Sequence, residues 1–469
     1  MDIDAMLNAG IAILKQNIEG FVKSADSDEL TPELADKMMQ MLRKAIPQAT
    51  TAMYRSFLES LEEKRDLIVV NGKPLRYKCN VEKEYETFFG KMLLSRRGYQ
   101  GKEDGAFYFP LDEAWGMLGQ YASVEVREAM TFSCAHITPE ETAQLLKKTA
   151  LFHPHATAIK HVVHAVGEVV AAHQEAIDTC VRAHERAPDG CAVLAVSLDG
   201  VNVLLNEKGK KAGRPAERPG LAGSGETKTA YKNAMVGTVS FYGTSEKKGE
   251  TPPRLSCHYT ARMPEDHAVT FKARFDAELD AAESVCPENV TKMIILDGAR
   301  SLWTYVNGNQ RYADYIKVVD FFHATEHLSK IAELLFGKGT DMAKDWYATY
   351  RLILRDSSGG VASLIRSIDY HTNKNRLPQS GLAAVARERG YFLRNKKKMN
   401  YAELRERGLP IGSGPVEAAC KTLVKTRLGR SGMRWSRKGG QHILDLRTYV
   451  KSNRWDSAWQ EITTLQRAA

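Results

Sequence analysis

The chain has 469 residues, 43% of them hydrophobic and 26% charged, the balance of an ordinary globular protein large enough for about two to four domains. Lys and Arg number 66 against 57 acids, a formal charge of +9, which suits a polyanionic partner because each cation set on a phosphate releases counterions. No apolar run approaches the roughly 18 residues that span a bilayer, and seven cysteines without a C-x-x-C pair argue against a zinc ribbon or disulfide framework and for a reducing cytosol.

Residues 1–66 read as helical, with Ile11, Ile13, Leu14 and Ile18 at helix-like spacing. The acidic opening MDIDAMLNAG lacks the basic start of a secretory signal, so a cytoplasmic protein is expected. Strand formers bracketing turn residues predict a small β-hairpin unit over 67–110. From 111 to 187 the pattern is helical again. Thr138-Pro139-Glu140-Glu141 is a helix start, with Thr as N-cap, Pro in the first turn and Glu closing a capping box. That helix breaks near His153-Pro154, and a second restarts with His155, Thr157, Lys160 and His161 on polar faces. The pair reads either as a DNA-binding helix-turn-helix, with Lys160 and His161 on the DNA, or as a plain αα-hairpin. His153, His155, His161 and His164 lack Cys or acid partners at ligand spacing, so they read as helix-face residues and not as a zinc site.

The middle of the chain changes character. CAVLAVSLDGVNVLL, YKNAMVGTVSFYG and PRLSCHYTARM are strand-like runs, followed by a helix, the buried strand KMIILDG, a helix, the short strand YIKVVDFF and a longer helix. That order is the order of an RNase H-like domain, so the expected architecture is a multidomain α+β chain with an RNase H-like α/β core over 188–336. The stretch 206–230 is rich in Gly, Pro and Lys and predicts a flexible loop able to touch a phosphate backbone. Residues 337–400 read as an all-helical insertion, and 401–469 as the last core helix with a basic carboxyl-terminal segment.

Two apolar runs each end on Asp-Gly: Val196-Ser197-Leu198-Asp199-Gly200 and Ile294-Ile295-Leu296-Asp297-Gly298. A buried strand delivers an Asp with little positional freedom, and Gly lets the chain turn away. Any single Asp-Gly is most often just a turn. Two of them on strands that neighbour each other in such a sheet bring two carboxylates together, and close carboxylates favour a cation between them. Oxygen ligands without thiolates select Mg²⁺ or Mn²⁺, and two such ions can clamp both oxygens of a phosphodiester displacement. The third ligand is expected from the helix opened by Gly412-Ser413-Gly414-Pro415, where Glu417 falls near the start with Lys421 and Lys425 on its face. The bland alternative there is a surface Glu–Lys ladder.

Beyond Glu417 the chain turns strongly basic, with Lys421, Lys425, Arg427, Arg430 and Arg434 as candidate DNA contacts. Asp320 and His323, two residues apart after a strand, can orient a phosphate or base, although such a His is more often structural. No G-x-S-x-G elbow or Cys–His signature points to a nucleophilic hydrolase.

The order SLDG, ILDG, VDFFHATEHL and GLPIGSGPVEAACKTLVKTRLGRSGMRWS resembles bacterial insertion-sequence transposases of the ISKra type, relatives of Mutator-like and hAT-like enzymes of the Asp-Asp-Glu class. The resemblance covers about 192–455. It implies that Asp199, Asp297 and Glu417 are the catalytic and metal-binding acids, holding two Mg²⁺ or Mn²⁺ ions. It implies that Asp320 and His323 match the supporting signature of the wider group, and that Arg427, Arg430, Arg434 and Trp435 match a basic-aromatic tail. The implied activity is hydrolysis at element ends to free 3′-hydroxyls, then their attack on target DNA, by a nucleoid-associated homo-oligomer on double-stranded DNA. A domesticated DNA-binding regulator and a stand-alone RNase H-like nuclease are the competing readings.

Overall fold

The computed structural model describes residues 3–25, 29–101, 105–206, 231–245, 247, 249–375 and 377–468. They form a mixed α+β protein that separates into two compact units, residues 1–177 with 456–469, and residues 178–455.

The first unit opens with two long helices, α1 (Ile3–Ser24) and α2 (Pro32–Leu61), the second capped by the Thr31 side chain. The hairpin expected over 67–110 is a three-stranded antiparallel meander of β1 (Leu67–Val70), β2 (Lys73–Thr87) and β3 (Gly90–Gln100). The extra strand is four residues long and turns through Asn71 and Gly72, both at positive φ. Leu58, Tyr85, Met92, Leu94, Leu111 and Met117 make its core. Inside that core Arg96 pairs with Asp112 at 2.5 Å, and the Tyr85 hydroxyl donates to the same carboxylate. Short α3 (Pro110–Ala114) leads to α4 (Val124–His136), α5 (Pro139–Thr149) and α6 (Ala156–Ala172). The capping box forms as the spacing predicts: Thr138 accepts from the Glu141 N–H and Glu141 accepts from the Thr138 N–H. The connector between α5 and α6, residues 150–155, is longer than the three or four residues usual in a helix-turn-helix.

Helix α7 (Gln174–Ala183) leads into the second unit, whose five-stranded sheet has the order β6-β5-β4-β7-β8. Its strands are β4 (Val193–Leu204), β5 (Tyr231–Tyr242), β6 (Arg254–Arg262), β7 (Thr291–Leu296) and β8 (Ile316–Val319). The first three run antiparallel, while β7 and β8 join β4 in parallel. Parallel neighbours need crossovers, and these are α8 (Val269–Val285) before β7 and α9 (Arg300–Asn307) before β8. Most of the basic loop expected over 206–230 lies outside the described residues.

After β8 come α10 (Phe321–Phe336), α11 (Asp341–Asp356), α12 (Gly360–Lys374) and α13 (Gln379–Asn395). The 337–400 stretch is helical as expected, but it is not a separate body. Trp346, Leu354, Leu364, Ile368, Val385 and Phe392 belong to the same buried cluster as the sheet residues Leu194, Ile294 and Val318. The polar composition had hidden this, because only the inner stripe of each helix is apolar. Helix α14 (Tyr401–Glu406) precedes the segment bearing Glu417. That segment is not one regular helix. It runs as α15 (Gly414–Ala419), a π-helical turn over Cys420–Lys425 and α16 (Thr426–Leu428). The wide turn breaks the simple i+4, i+8 face drawn through Glu417, Lys421 and Lys425. Its freed carbonyls are met by the buried Arg447, which donates to Leu423 O at 2.7 Å and to Thr422 O. Arg447 lies on α17 (Arg437–Lys451). The final helix α18 (Trp455–Ala468) groups with the first unit from residue 456 on, although the sequence placed 401–469 together. An amphipathic pattern shows which face is buried and not which core receives it.

Candidate functional site

The strand register brings the predicted aspartates together. Val196 on β4 pairs with Ile294 on β7. Three residues further along each strand stand Asp199 and Asp297. Leu296 on β7 pairs with Val319 on β8, and the next residues are Asp297 and Asp320. Asp297 and Asp320 directly follow the ends of β7 and β8, whereas Asp199 lies inside β4, which runs on through Gly200 to Leu204, so the turn expected after Asp199 does not form.

Each carboxylate is oriented differently. Asp199 accepts from its neighbour Gly200 N–H at 2.6 Å, and the Cys420 thiol lies 3.4 Å from its second oxygen as a donor. Burial pushes the Asp199 carboxyl up, and repulsion from Asp297 adds to this. Burial also pushes the Cys420 thiol well up, so it stays a protonated donor. Asp297 accepts from Ala299 N–H at 2.9 Å, and its own carbonyl accepts from the Trp303 indole at 2.7 Å. The next residue must be small: a Cβ on Gly298 would fall 2.1 Å from Cε2 of Tyr391.

Asp320 is fully buried. One oxygen caps α10 by accepting from His323 N–H at 2.8 Å, and the other accepts from the N–H and hydroxyl of Ser413. Two glycines flank Ser413, yet it is pinned, only 3% exposed. Phe321 N–H also donates to Ile411 O at 3.0 Å, so the start of α10 and the loop before α15 are joined at several points.

This linkage delivers His323 and Glu417 to one place, with His323 Nδ1 3.7 Å from Glu417 Oε1. Burial raises the Glu417 carboxyl, and Asp320 and Asp199 raise it further while His323 and Lys421 oppose them. The ligand atoms of Asp320, His323 and Glu417 all lie within 4.8 Å of one another, a group able to hold a metal ion. The trio Asp199, Asp297 and Glu417 is not that close-knit among the described residues; Glu417 sits nearest Asp320 and His323 and feels Asp199 by charge. The donor set still fits a hard divalent cation. It is mostly carboxylate, its acids repel one another, and His323 Nδ1 is a buried atom without a hydrogen-bond partner. Asp320 is the exception, since its oxygens are already committed to three donors.

The expected DNA contacts fall into two kinds. Lys421, Lys425 and Arg434 are exposed, Arg430 is half-buried, and Trp435 donates its indole N–H to Leu428 O at 3.1 Å. Arg427 is a correction. It is 2% exposed, with its guanidinium 5.2 Å above the Trp435 ring, and so is part of the interior and not of a phosphate-facing surface. Basic composition could not separate it from its neighbours, because a buried Arg and a surface Arg read alike. In the first unit His161 is exposed, and Lys160 is held by Glu140 at 2.6 Å. Ser413, Cys420 and Tyr391 were not singled out in the sequence. Cys420, three residues beyond Glu417 and thus one helical turn on, was the one with a visible signal.

Comparison with protein-family models returns no match, and neither does comparison with curated proteins. No helix among the described residues is long and apolar enough to cross a membrane.

Proposed function

We propose that this protein is an insertion-sequence DNA transposase of the Asp-Asp-Glu class, with residues 178–455 as an RNase H-like core. The observation that carries the reading is the register that sets Asp199 and Asp297 level on neighbouring parallel strands, with the Glu417 carboxyl in electrostatic reach of Asp199. Asp199, Asp297 and Glu417, assisted by His323, would hold Mg²⁺ or Mn²⁺. Bound there, such ions supply a nucleophile and stabilise charge on the attacking and leaving oxygens of a phosphodiester.

The chain's own residues have separate tasks. Partial burial of Asp199 and Glu417 lowers the local dielectric and strengthens every charge interaction at the site. The Cys420 thiol and Gly200 N–H fix the Asp199 carboxylate, and His323 stands 3.7 Å from Glu417 with its Nδ1 free of any hydrogen bond. Exposed Lys421, Lys425 and Arg434 attract the backbone of double-stranded DNA, with element ends and target DNA as the partners and a homo-oligomer pairing two ends. Helices α5 and α6, with His161 outward, are the candidate end-recognition element.

The test separates chemistry from binding. Asp297→Asn keeps an oxygen for Ala299 N–H but removes a charge from the site. Nicking of a duplex carrying the element's own terminal sequence, with Mn²⁺, should fall by orders of magnitude, and gel-shift affinity for that duplex should stay. Wild-type protein that binds the ends tightly and never nicks them would instead identify a DNA-binding regulator.

A further inference from the structure

Between Asp320 and His323 stands an aromatic ring that the fold does not bury. Phe322 is 53% exposed, while its neighbour Phe321 is 2% exposed. A single exposed apolar side chain is ordinary on a protein surface. The position of this one is not. Its backbone belongs to the first turn of α10, the turn that Asp320 caps and that carries His323 to within 3.7 Å of Glu417.

The ring is also held. Phe321 meets it edge-on at 5.8 Å between centroids, and Phe321 is itself braced by Tyr401 at 5.2 Å. On another side Phe322 lies against Gly412, where a Cβ would come 2.8 Å from its Cε2 atom. Gly412 adjoins Ser413, so the loop that positions Glu417 positions this ring as well. A rigid aromatic surface, open to solvent on the helix turn that Asp320 caps, gains nothing for folding from its exposed half.

Resting on the reading of the site as a DNA strand-transfer centre, we infer that Phe322 is a stacking platform for an unpaired base beside the scissile phosphate. A paired base keeps both faces covered by its neighbours in the duplex, so only a base out of the stack can use the ring. Lys421 and Lys425, exposed on the turn beyond Glu417, hold the backbone by charge, and the ring takes the base that follows. Stacking of this kind tolerates any base, since each offers a π face.

The experiment uses the full chain and two oligonucleotide duplexes of the element's terminal sequence. One is fully paired; the other has mismatched bases at the scissile position, with 2-aminopurine as a reporter. Wild-type protein should bind the mismatched duplex more tightly and change the 2-aminopurine fluorescence. Phe322→Ala should lose roughly ten-fold in affinity for the mismatched duplex, lose the fluorescence change and keep its affinity for the paired duplex. Phe322→Trp should retain both signals. Phe322→Ala gives up the half of the ring packed on Phe321 and Gly412, so its melting temperature should fall slightly, and binding is compared at a temperature where both variants remain folded. If wild-type protein nicks DNA with Mn²⁺ while Phe322→Ala matches it on both duplexes, the stacking role is overturned and the transposase reading stands. If wild-type protein neither binds nor nicks either duplex, both fall together.

Discussion

The hydroxyl of Ser413 donates to the buried carboxylate of Asp320 at 2.5 Å, and this bond joins the helix start that bears His323 to the loop that bears Glu417. Asp320 thereby acts as a clamp. Its lone pairs are taken by protein donors, so its contribution to the site passes through its neighbours. Asp320→Ala removes the α10 cap and leaves the N–H and O–H groups of Ser413 and the N–H of His323 without that acceptor. Stability in urea should drop by about 3 kcal/mol. Ser413→Ala, which keeps the backbone bond, should cost about 1 kcal/mol. Equal and negligible losses in both variants would show that the clamp does not hold the site together.

Asp199 and Glu417 both titrate above their ordinary values, chiefly from burial and then from neighbouring acids. A raised folded-state pKa means that the folded protein binds more protons than the unfolded chain between the two values, so stability falls as pH rises through that window. In EDTA, Asp199→Asn and Glu417→Gln should therefore melt at higher temperature than wild type at neutral pH, and the difference should shrink in acid. Mn²⁺ should reverse the order, because the ion favours the charged acids of the wild type. A lower melting temperature for both variants in EDTA at neutral pH would contradict the repulsion.

On the acid side a different group is at work. Burial alone would raise Glu278, but His258 and Arg454 pull its carboxyl down to about 2. Arg454 Nη1 lies 2.7 Å from Glu278 Oε1, and His258 Nδ1 lies 3.4 Å from it. A depressed carboxylate contributes stability that is present above its ordinary value near 4.5 and is lost as pH falls toward 2. Glu278→Gln should cost about 3 kcal/mol at neutral pH by leaving the buried Arg454 with only Glu185 as its counter-charge. Its stability should also vary less than that of wild type between those two pH values. A parallel pH profile for the variant would mean that the acid limb arises elsewhere.

The strands and their acids were legible because both signals are local. SLDG and ILDG each combine an apolar run with an Asp; the strand ends before Asp297 as read, whereas β4 continues through Gly200 to Leu204 because β5 pairs with it over that whole length. Thr138 with Glu141 announced a capping box by spacing alone, and it formed. What stayed hidden was set by distant contacts. Nothing near Asp320 in the sequence says that Ser413 will saturate it. The π turn at Cys420–Lys425 depends on Arg447 reaching back from another helix. The helices of 337–400 share the sheet's core through inner stripes that their composition masks, and Arg427 went inside while Lys425 stayed out.

That last contrast gives a direct test of which cations meet DNA. Lys425 and Arg434 are exposed, whereas Arg427 is buried against Trp435. An exposed cation at a phosphate releases counterions on binding, so its loss changes how affinity depends on salt. Lys425→Ala and Arg434→Ala should each lower the slope of log affinity against log salt by about 0.9, with the melting temperature unchanged. A buried Arg contributes through packing and hydrogen bonds along its whole length. Arg427→Ala should thus destabilise the protein by about 2–3 kcal/mol and, at a temperature where it remains folded, leave the salt slope at the wild-type value. The discriminating measurement is the pair of numbers for each variant, slope and melting temperature. If Arg427→Ala lowered the slope and left melting unchanged, its guanidinium would have to swing out to the DNA, and the interior placement would not describe the bound state.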